Sequence, residues 1–184
     1  ASGKGGVGKS LVAANLSVAL GQAGKRVVLA DLDLGASNLH LILGVPAQRG
    51  GIGTFLAGSA GKFENIILDT DYENLRFIPG DAEIPGLANI RQAQKNQLVK
   101  RLLSIDCDYL VLDLGAATSV NILDFFLMSS QGIVVTAPTL TATLNAYLFL
   151  KNAVFRLLVG AFGQRSKAYE YMEALRKDGA ALQK

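Results

Sequence analysis

Apolar and polar residues follow two patterns that alternate along the chain. Short continuous apolar runs predict strands at 26–33, 75–81, 108–115 and 132–138, all but the second of them buried. Apolar residues at helical spacing predict helices at 11–24, 36–44, 86–104, 119–130, 141–158 and 166–184. Strands separated by helices indicate βαβ units, and therefore an α/β fold whose mostly parallel sheet is covered on both faces.

Polar residues gather at the carboxyl ends of the predicted strands. Asp31 and Asp33 end the first run, Asp113 ends the third and Pro138 ends the fourth. Ligands of parallel α/β sheets bind beside the carboxyl ends of the strands. We therefore expect the functional site at this edge of the sheet.

Composition limits the classes of protein that the chain can represent. With 184 residues, half of them hydrophobic, residues 1–184 are expected to form a single domain with one core. The net charge of +3 does not indicate wholesale nucleic-acid binding, although residues after 150 are mainly basic and fit either a solvated helix face or contact with phosphates or a membrane surface. Cys107 is the single cysteine, so one chain holds no internal disulfide. Neither a signal-like start nor a membrane-spanning run is visible, and a cytoplasmic location is expected.

The first residues match a phosphate-binding loop. The stretch 3–10, GKGGVGKS, fits the pattern G-x-x-x-x-G-K-[ST] without a mismatch. Glycines let successive N–H groups turn toward an anion, and the helix that follows adds the positive end of its dipole. Lys9 is expected to reach the β- and γ-phosphates and Ser10 to hold Mg²⁺. The predicted nucleotide-binding residues are Gly3, Lys4, Gly5, Gly6, Val7, Gly8, Lys9, Ser10 and Leu11.

Two strand-end carboxylates complete the predicted chemistry. Asp113 is expected to hold the water shell of the magnesium ion, and Gly115 to leave room for a γ-phosphate. Asp33 is expected to orient the attacking water, and a contact to the metal through water is a second role for it. Asp31 is interpreted as a supporting residue, or as a cap of the helix at 36–44.

A second lysine in the loop gives a family resemblance. The form K-G-G-x-G-K-[ST] resembles the deviant Walker A motif of the MinD/ParA family of P-loop ATPases. The segments DLDLGASNLHLILG, DYLVLDLGAATS and GIVVTAPTLTATLNAYLFLK resemble, in order, its switch I, its switch II strand, and the strand and helix that follow. The resemblance covers about residues 1–155 and is closest to the FlhG/MinD-like positioning proteins.

The resemblance implies a P-loop NTPase-type three-layer sandwich that binds ATP and Mg²⁺. It also implies an ATPase, slow and stimulated by a partner, that forms an ATP-dependent homodimer. Lys4 is the signature lysine that reaches the phosphates of the partner subunit, so Lys4, Lys9 and Asp33 form the implied catalytic set. The implied role is the spatial positioning of a flagellum, a division site or DNA. An activating protein partner is implied, whereas a membrane or DNA surface, and a place at the inner membrane or a cell pole, stay open.

This chain departs from the family pattern in three ways. Leu11 replaces a second hydroxyl residue, and Thr139-Leu140 replaces a common Glu-Pro. The family has an apolar strand directly before the loop and an adenine-reading asparagine after a later strand. Since neither is recognisable here, the resemblance implies that the first strand and one or more C-terminal strands are missing from this sequence.

Two other functions share the same loop. An ATP-dependent iron–sulfur carrier or reductase needs cysteines at a dimer face, and the lone Cys107 precedes a strand. A P-loop metabolic ligase needs substrate-specific loops that the sequence does not reveal. Iron content would distinguish an iron–sulfur carrier from a dimerisation switch. ATP-dependent dimerisation would distinguish the switch from a metabolic ligase.

Overall fold

The fold is built around a small, mostly parallel sheet. The computed structural model describes residues 1–33, 38–46, 50–80, 90–116, 118–162, 166–172 and 174. Strands β1 (Val27–Leu32), β2 (Leu68–Asp69), β3 (Leu75–Ile78) and β4 (Tyr109–Leu114) form a four-stranded sheet in the order β2-β3-β1-β4. β1 pairs in parallel with β3 and β4, and only the edge strand β2 is antiparallel. The predicted α/β class with a mostly parallel sheet is therefore confirmed.

Helices connect these strands largely where the apolar spacing predicts them. They are α1 (Lys9–Gln22), α2 (Leu39–Ile42), α3 (Ile52–Leu56), α4 (Gln92–Leu103), α5 (Val120–Leu127) and α6 (Leu140–Ala161). A 3₁₀ helix spans Phe63–Ile66. The short elements α3, β2 and the 3₁₀ helix were not predicted, because a few residues give no readable period. Residues 167–172 are also helical, and the rest of the helix predicted at 166–184 lies mostly outside the described residues.

The central strand β1 explains where the core lies. All six of its residues are buried. Val28 and Ala30 pack into a large cluster with α3, α4, α5 and α6, whereas Val27 and Leu29 pack on the opposite face with α1 and α2. Side chains alternate across a strand, so a continuous apolar run is what a sheet covered on both faces requires.

The prediction of a buried strand at 132–138 is wrong. Residues 131–137 form neither a helix nor a strand, and most of them are exposed. The backbone nitrogen of Ala1 donates to the Ile133 carbonyl and the Val135 N–H donates to the Ala1 carbonyl, both at 2.9 Å. This is the pattern of one parallel bridge centred on Val134. Within the described part of the chain, Ala1 is thus the single residue that pairs with this segment.

A groove separates this segment from β4. Its volume is about 1030 Å³, and its walls are the outer edge of β4, one side of α1 and the residues around 128–135. β4 is consequently only half-buried along Leu110, Val111 and Leu112, although the sequence predicts a buried strand. Leu16 and Leu20 of α1 line the groove, whereas α1 buries its small residues Ala14, Ser17 and Gly21 against the sheet.

Candidate nucleotide-binding site

The loop before α1 has the backbone that a phosphate-binding loop needs. Gly6 and Gly8 have φ angles of 76° and 90°, a region that residues with a Cβ rarely adopt. α1 begins at Lys9, directly after Gly8, and its first turn carries no acidic residue. The free N–H groups at the start of α1 and those of the loop therefore offer an electropositive site for an anion.

Lys9 joins the loop to the strand ends. Its Nζ lies 2.5 Å from Oδ1 of Asp113 and 3.9 Å from Oδ2 of Asp33. Lys9 is 8% exposed and Asp113 is 1% exposed, whereas Asp33 retains 31% exposure. The Lys9 Nζ also lies 3.4 Å from the Ser10 hydroxyl. The structure thus brings the adjacent loop residues Lys9 and Ser10 together with Asp33 and Asp113, which are distant in sequence.

Asp113 has unused coordinating capacity. Its Oδ1 accepts the hydrogen bond of Lys9, but its buried Oδ2 has no hydrogen-bond partner among the described residues. A buried carboxylate oxygen without a partner is costly and calls for a ligand, an ion or an ordered water. This atom and the neighbouring Ser10 hydroxyl are hard oxygen donors, which suit Mg²⁺ and the waters that it keeps.

Asp31 supports the site from behind. It is 1% exposed. Its Oδ1 accepts the N–H of Asp33 at 3.0 Å, and its Oδ2 lies 3.4 Å from the N–H of Leu39, the first residue of α2. Asp31 thereby fixes the backbone that carries Asp33 and begins α2, in agreement with the supporting and capping roles predicted for it.

Gly115 lets two strand ends come close. A Cβ at this position would lie 2.9 Å from Oδ1 of Asp33, closer than real Cβ contacts. The pattern of residues predicts that Gly115 admits a γ-phosphate, and that role stays a prediction. The structure shows that the missing side chain makes room for the carboxylate of Asp33.

Lys4 stands apart from the Lys9 cluster. It is exposed, and its Nζ donates a hydrogen bond of 3.1 Å to Oγ1 of Thr141, the second residue of α6. Beside it, a Cβ on Gly3 would lie 2.1 Å from the carbonyl oxygen of Asn145. The loop therefore packs directly on the first turns of α6. Sequence reasoning missed Thr141 and Asn145, because their contacts with the loop span more than 130 residues and no motif marks them.

The remaining loop residues differ in exposure. Val7 is half-buried, and Gly5, Gly6 and Gly8 are exposed. Leu11 on the first turn of α1 is 56% exposed, and its carbonyl accepts the side-chain amide of Asn15 at 2.8 Å. Leu11 therefore presents an apolar side chain to solvent near the loop, where a hydroxyl residue is more usual in the family that the sequence resembles.

A second charged cluster lies among the helices that follow β3 and β4. Asp124 of α5 accepts hydrogen bonds from Lys95 of α4 and from Nε of Arg156 of α6, the latter at 2.7 Å. Burial alone raises the pKa of Asp124, but the hydrogen bonds from Arg156 and Lys95 outweigh it and hold the pKa below its usual value. The cluster ties three helices together, and sequence spacing gives no sign of it.

The described part of the chain contains neither a metal-binding side-chain cluster nor a membrane-spanning helix. Among the described residues, no group of three or more histidine, cysteine or acidic side chains forms a metal-binding cluster. Within the same residues, no helix has both the length and the apolar character that a membrane crossing requires.

A glycine loop running into a helix, with a lysine directed at acidic strand ends, defines a P-loop nucleotide-binding domain. A family model described as the CobQ/CobB/MinD/ParA nucleotide binding domain (CbiA) matches residues 1–176. The chain belongs to this family.

Relatives with assigned roles show which members of this family the chain is similar to. The flagellum site-determining protein YlxH of Helicobacter pylori is 37% identical over 153 residues, covering 82% of this chain and 51% of the relative. The septum site-determining protein MinD of a Synechocystis strain is 33% identical over 146 residues, covering 79% of this chain and 54% of the relative. The chain thus spans about half the length of these relatives.

Solved structures agree with the fold. The septum site-determining protein MinD of Pyrococcus horikoshii, complexed with Mg-ADP, has a TM-score of 0.70 and 34% identity, covering 83% of this chain and 63% of that chain. A cobyrinic acid a,c-diamide synthase of Mycobacterium smegmatis has a TM-score of 0.73 over 97% of this chain and 80% of that chain. At 21% identity, that likeness shows the fold alone.

Proposed function

We propose that this protein is an ATP-binding and ATP-hydrolysing dimerisation switch of the MinD/ParA type that positions cell machinery. The observation that carries the proposal is the Lys9 ammonium, held beside Asp113 and Asp33 at the mouth of the glycine loop. A buried cation poised between two carboxylates can exchange one of them for a phosphate without a large rearrangement. Family membership and the relatives with positioning roles support the same reading.

In this proposal the loop residues bind the triphosphate. The N–H groups of residues 3–11 donate to phosphate oxygens, and Lys9 moves from Asp113 to the β- and γ-phosphates. That movement frees Oδ1 of Asp113, whose Oδ2 already lacks a hydrogen-bond partner among the described residues. Ser10 and Asp113, with Asp33 through water, would then hold Mg²⁺. The ion supplies charge neutralisation between the phosphates when it is bound.

Asp33 is the proposed water-orienting residue. It is the more exposed of the two carboxylates near Lys9, and its backbone is fixed by Asp31. An ionised carboxylate accepts a hydrogen bond from a water and so aligns it for attack on the γ-phosphate. Asp31 is turned away into backbone hydrogen bonds, which leaves Asp33 as the proposed hydrolytic residue.

Lys4 is proposed to act on a second copy of the chain. It is exposed, and it contacts α6 instead of the group formed by Lys9, Asp113 and Asp33 in its own chain. A cation delivered from a partner neutralises transition-state charge as an arginine finger does. Hydrolysis would then depend on dimerisation, which is the property of a switch.

Partners beyond the second copy are proposed from surface character and relatives. The outer face of α6 exposes several large apolar side chains: Leu140, Leu144, Tyr147, Leu150, Val154 and Leu157. Apolar surface of this kind is typical of protein–protein contacts, so it suits an activating protein partner. We expect the protein to act in the cytoplasm, with the inner membrane, a cell pole or DNA as the surface on which it is placed.

A metabolic ligase is the alternative function that a specific observation supports. The family description also covers CobQ and CobB, and a diamide synthase shares the fold. In that case ATP would activate a carboxylate on a small molecule, and turnover would require no second chain. The iron–sulfur carrier has less support, because Cys107 is half-buried beside β4 and burial raises the pKa of its thiol.

The dependence of ATP turnover on protein concentration tests the proposal. Turnover per chain of the full-length protein is expected to rise with concentration and to reach a plateau once the dimer forms. A Lys4→Ala variant should remain at the low monomer rate, while Lys25→Ala, which changes an exposed lysine outside the loop, should follow the wild type. Turnover per chain that is the same at all concentrations would contradict the switch and favour the ligase.

A further inference from the structure

The hydrogen bond between Lys4 and Thr141 links the loop to α6 across 137 residues of sequence. Its acceptor is fixed by a capped helix start. Thr139 is the N-cap of α6, and its side chain accepts the N–H of Ala142 at 3.3 Å. Thr141 therefore presents its hydroxyl from a well-defined first turn.

The donor end is fixed as well. Ser2 is 1% exposed, and its hydroxyl donates to the Lys4 carbonyl at 2.9 Å. Gly3 packs so tightly on Asn145 that a single added carbon would collide with that carbonyl. Since both backbones are held, the hydrogen bond to Thr141 has only the torsions of the exposed Lys4 side chain left to order, and that ordering weakens the bond. The first turn of α6 contains no acidic residue, so a neutral hydroxyl holds the ammonium there.

From this geometry we infer that Thr141 is a positioning residue that retains Lys4 on its own subunit and so opposes ATP-dependent pairing of two chains. The inference rests on the proposed function, in which Lys4 reaches phosphates bound by the partner. To reach them, the ammonium leaves Thr141. A single exposed bond to a neutral acceptor is weak enough to be broken at each cycle, whereas a carboxylate would hold Lys4 more tightly.

The expected size of the effect follows from the symmetry of a dimer. An exposed hydrogen bond of this kind favours the retained state roughly two- to threefold in one chain. A two-fold symmetric pair breaks the bond in both chains, so the factors multiply to about four- to tenfold in the dissociation constant of the dimer.

A matched set of threonine variants tests the inference. Thr141→Val removes the acceptor and keeps the side-chain shape, and Thr141→Ser keeps the hydroxyl. Thr143→Val makes the same change at the next exposed threonine of α6. The dimer dissociation constant of each full-length protein is measured by analytical ultracentrifugation with Mg²⁺ and a non-hydrolysable ATP analogue, and analogue affinity is measured separately on dilute monomer.

Thr141→Val is expected to tighten the dimer about four- to tenfold, with monomer affinity for the analogue unchanged. Thr141→Ser and Thr143→Val should match the wild type. If Thr141→Val pairs no more tightly than Thr143→Val, the inference is wrong while a nucleotide-dependent wild-type dimer leaves the proposed function intact. If the wild type forms no nucleotide-dependent dimer, the inference and the proposed function are both wrong.

Discussion

Asp31 and Asp113 are register partners on the neighbouring strands β1 and β4, yet the structure uses their carboxylates differently. Asp31 accepts N–H groups at the start of the segment that carries Asp33 and α2. Asp113 accepts Lys9 through one oxygen and leaves the other without a partner among the described residues. The carboxylate of Asp31 thus holds the backbone in place, whereas one oxygen of Asp113 remains available to a ligand.

The Lys9 ammonium is the first group to test. A Lys9→Ala change removes the cation that would meet the β- and γ-phosphates, so a full-length variant is expected to lose ATP retention at micromolar concentrations. Isothermal titration calorimetry measures the affinity directly, and Lys25→Ala serves as a control at an exposed position. Wild-type ATP affinity in the Lys9→Ala protein would remove the basis of the P-loop assignment.

The unpartnered oxygen of Asp113 predicts a magnesium effect. Asp113→Asn keeps the shape of the side chain but removes its charge, so ATP binding without Mg²⁺ should persist. The additional affinity conferred by Mg²⁺ should fall by about 10–100-fold, as for other residues that hold a metal through its ligands. Titrating ATP at several Mg²⁺ concentrations measures this difference. An unchanged Mg²⁺ dependence would show that Asp113 has only a structural role.

The Asp124 cluster predicts a stability effect with a defined pH dependence. Asp124→Asn leaves the buried Lys95 ammonium without its counter-charge and is expected to cost about 3 kcal/mol in the free energy of unfolding. Because the folded-state pKa of Asp124 is lowered, this contribution is present above about pH 4, the ordinary value, and is lost as the pH falls through the folded-state pKa.

Urea unfolding at pH 7 and near pH 3 measures that dependence. The gap between wild type and Asp124→Asn should shrink at the lower pH. Lys95→Met provides the control, since it removes the buried charge and keeps the pair of Asp124 with Arg156. It should cost about 1 kcal/mol or less. Two results would contradict an electrostatic role for the cluster. One is an equal loss of unfolding free energy in both variants, and the other is a difference between wild type and Asp124→Asn that does not change with pH.

The contact between Gly3 and α6 predicts a steric effect. Gly3→Ala places a carbon 2.1 Å from the Asn145 carbonyl, so the loop or the helix must shift at a cost of about 2 kcal/mol. Gly5→Ala is the matched change, because a carbon there meets only Ala116 at an ordinary 4.0 Å. Thermal unfolding should therefore separate the two variants by several degrees. Equal melting temperatures would mean that α6 does not press on the loop.

Sequence reasoning predicts those parts of this molecule whose information is local. The loop at 3–10 and the apolar run of β1 each contain their own pattern, so both elements were predicted, together with the site at the carboxyl end of β1. The run at 132–138 has the same apolar character, but a strand also needs neighbours. Among the described residues only Ala1 pairs with it, and it lies outside the sheet.

The contacts that sequence reasoning missed are tertiary. Thr141 meets Lys4, and Asp124 meets Lys95 and Arg156, only after separate helices have packed. Apart from Lys4, none of these residues belongs to the loop motif, and their spacing along the chain carries no period. α1 shows the same limit on a smaller scale: its apolar spacing predicted the helix, but packing decided that Ala14, Ser17 and Gly21 meet the sheet.

We propose that ATP binding causes two chains to form a dimer, and that Lys4 of one chain reaches the phosphates bound by the other. The most direct test is the mass in solution of a full-length Asp33→Ala variant, which is expected to retain ATP without hydrolysing it, measured with and without ATP and Mg²⁺. We expect a dimer only with ATP and Mg²⁺, and a monomer under the same conditions when Lys4→Ala is added. A protein that stays monomeric with ATP bound would contradict the account and leave the loop as a phosphate-binding element of a metabolic enzyme.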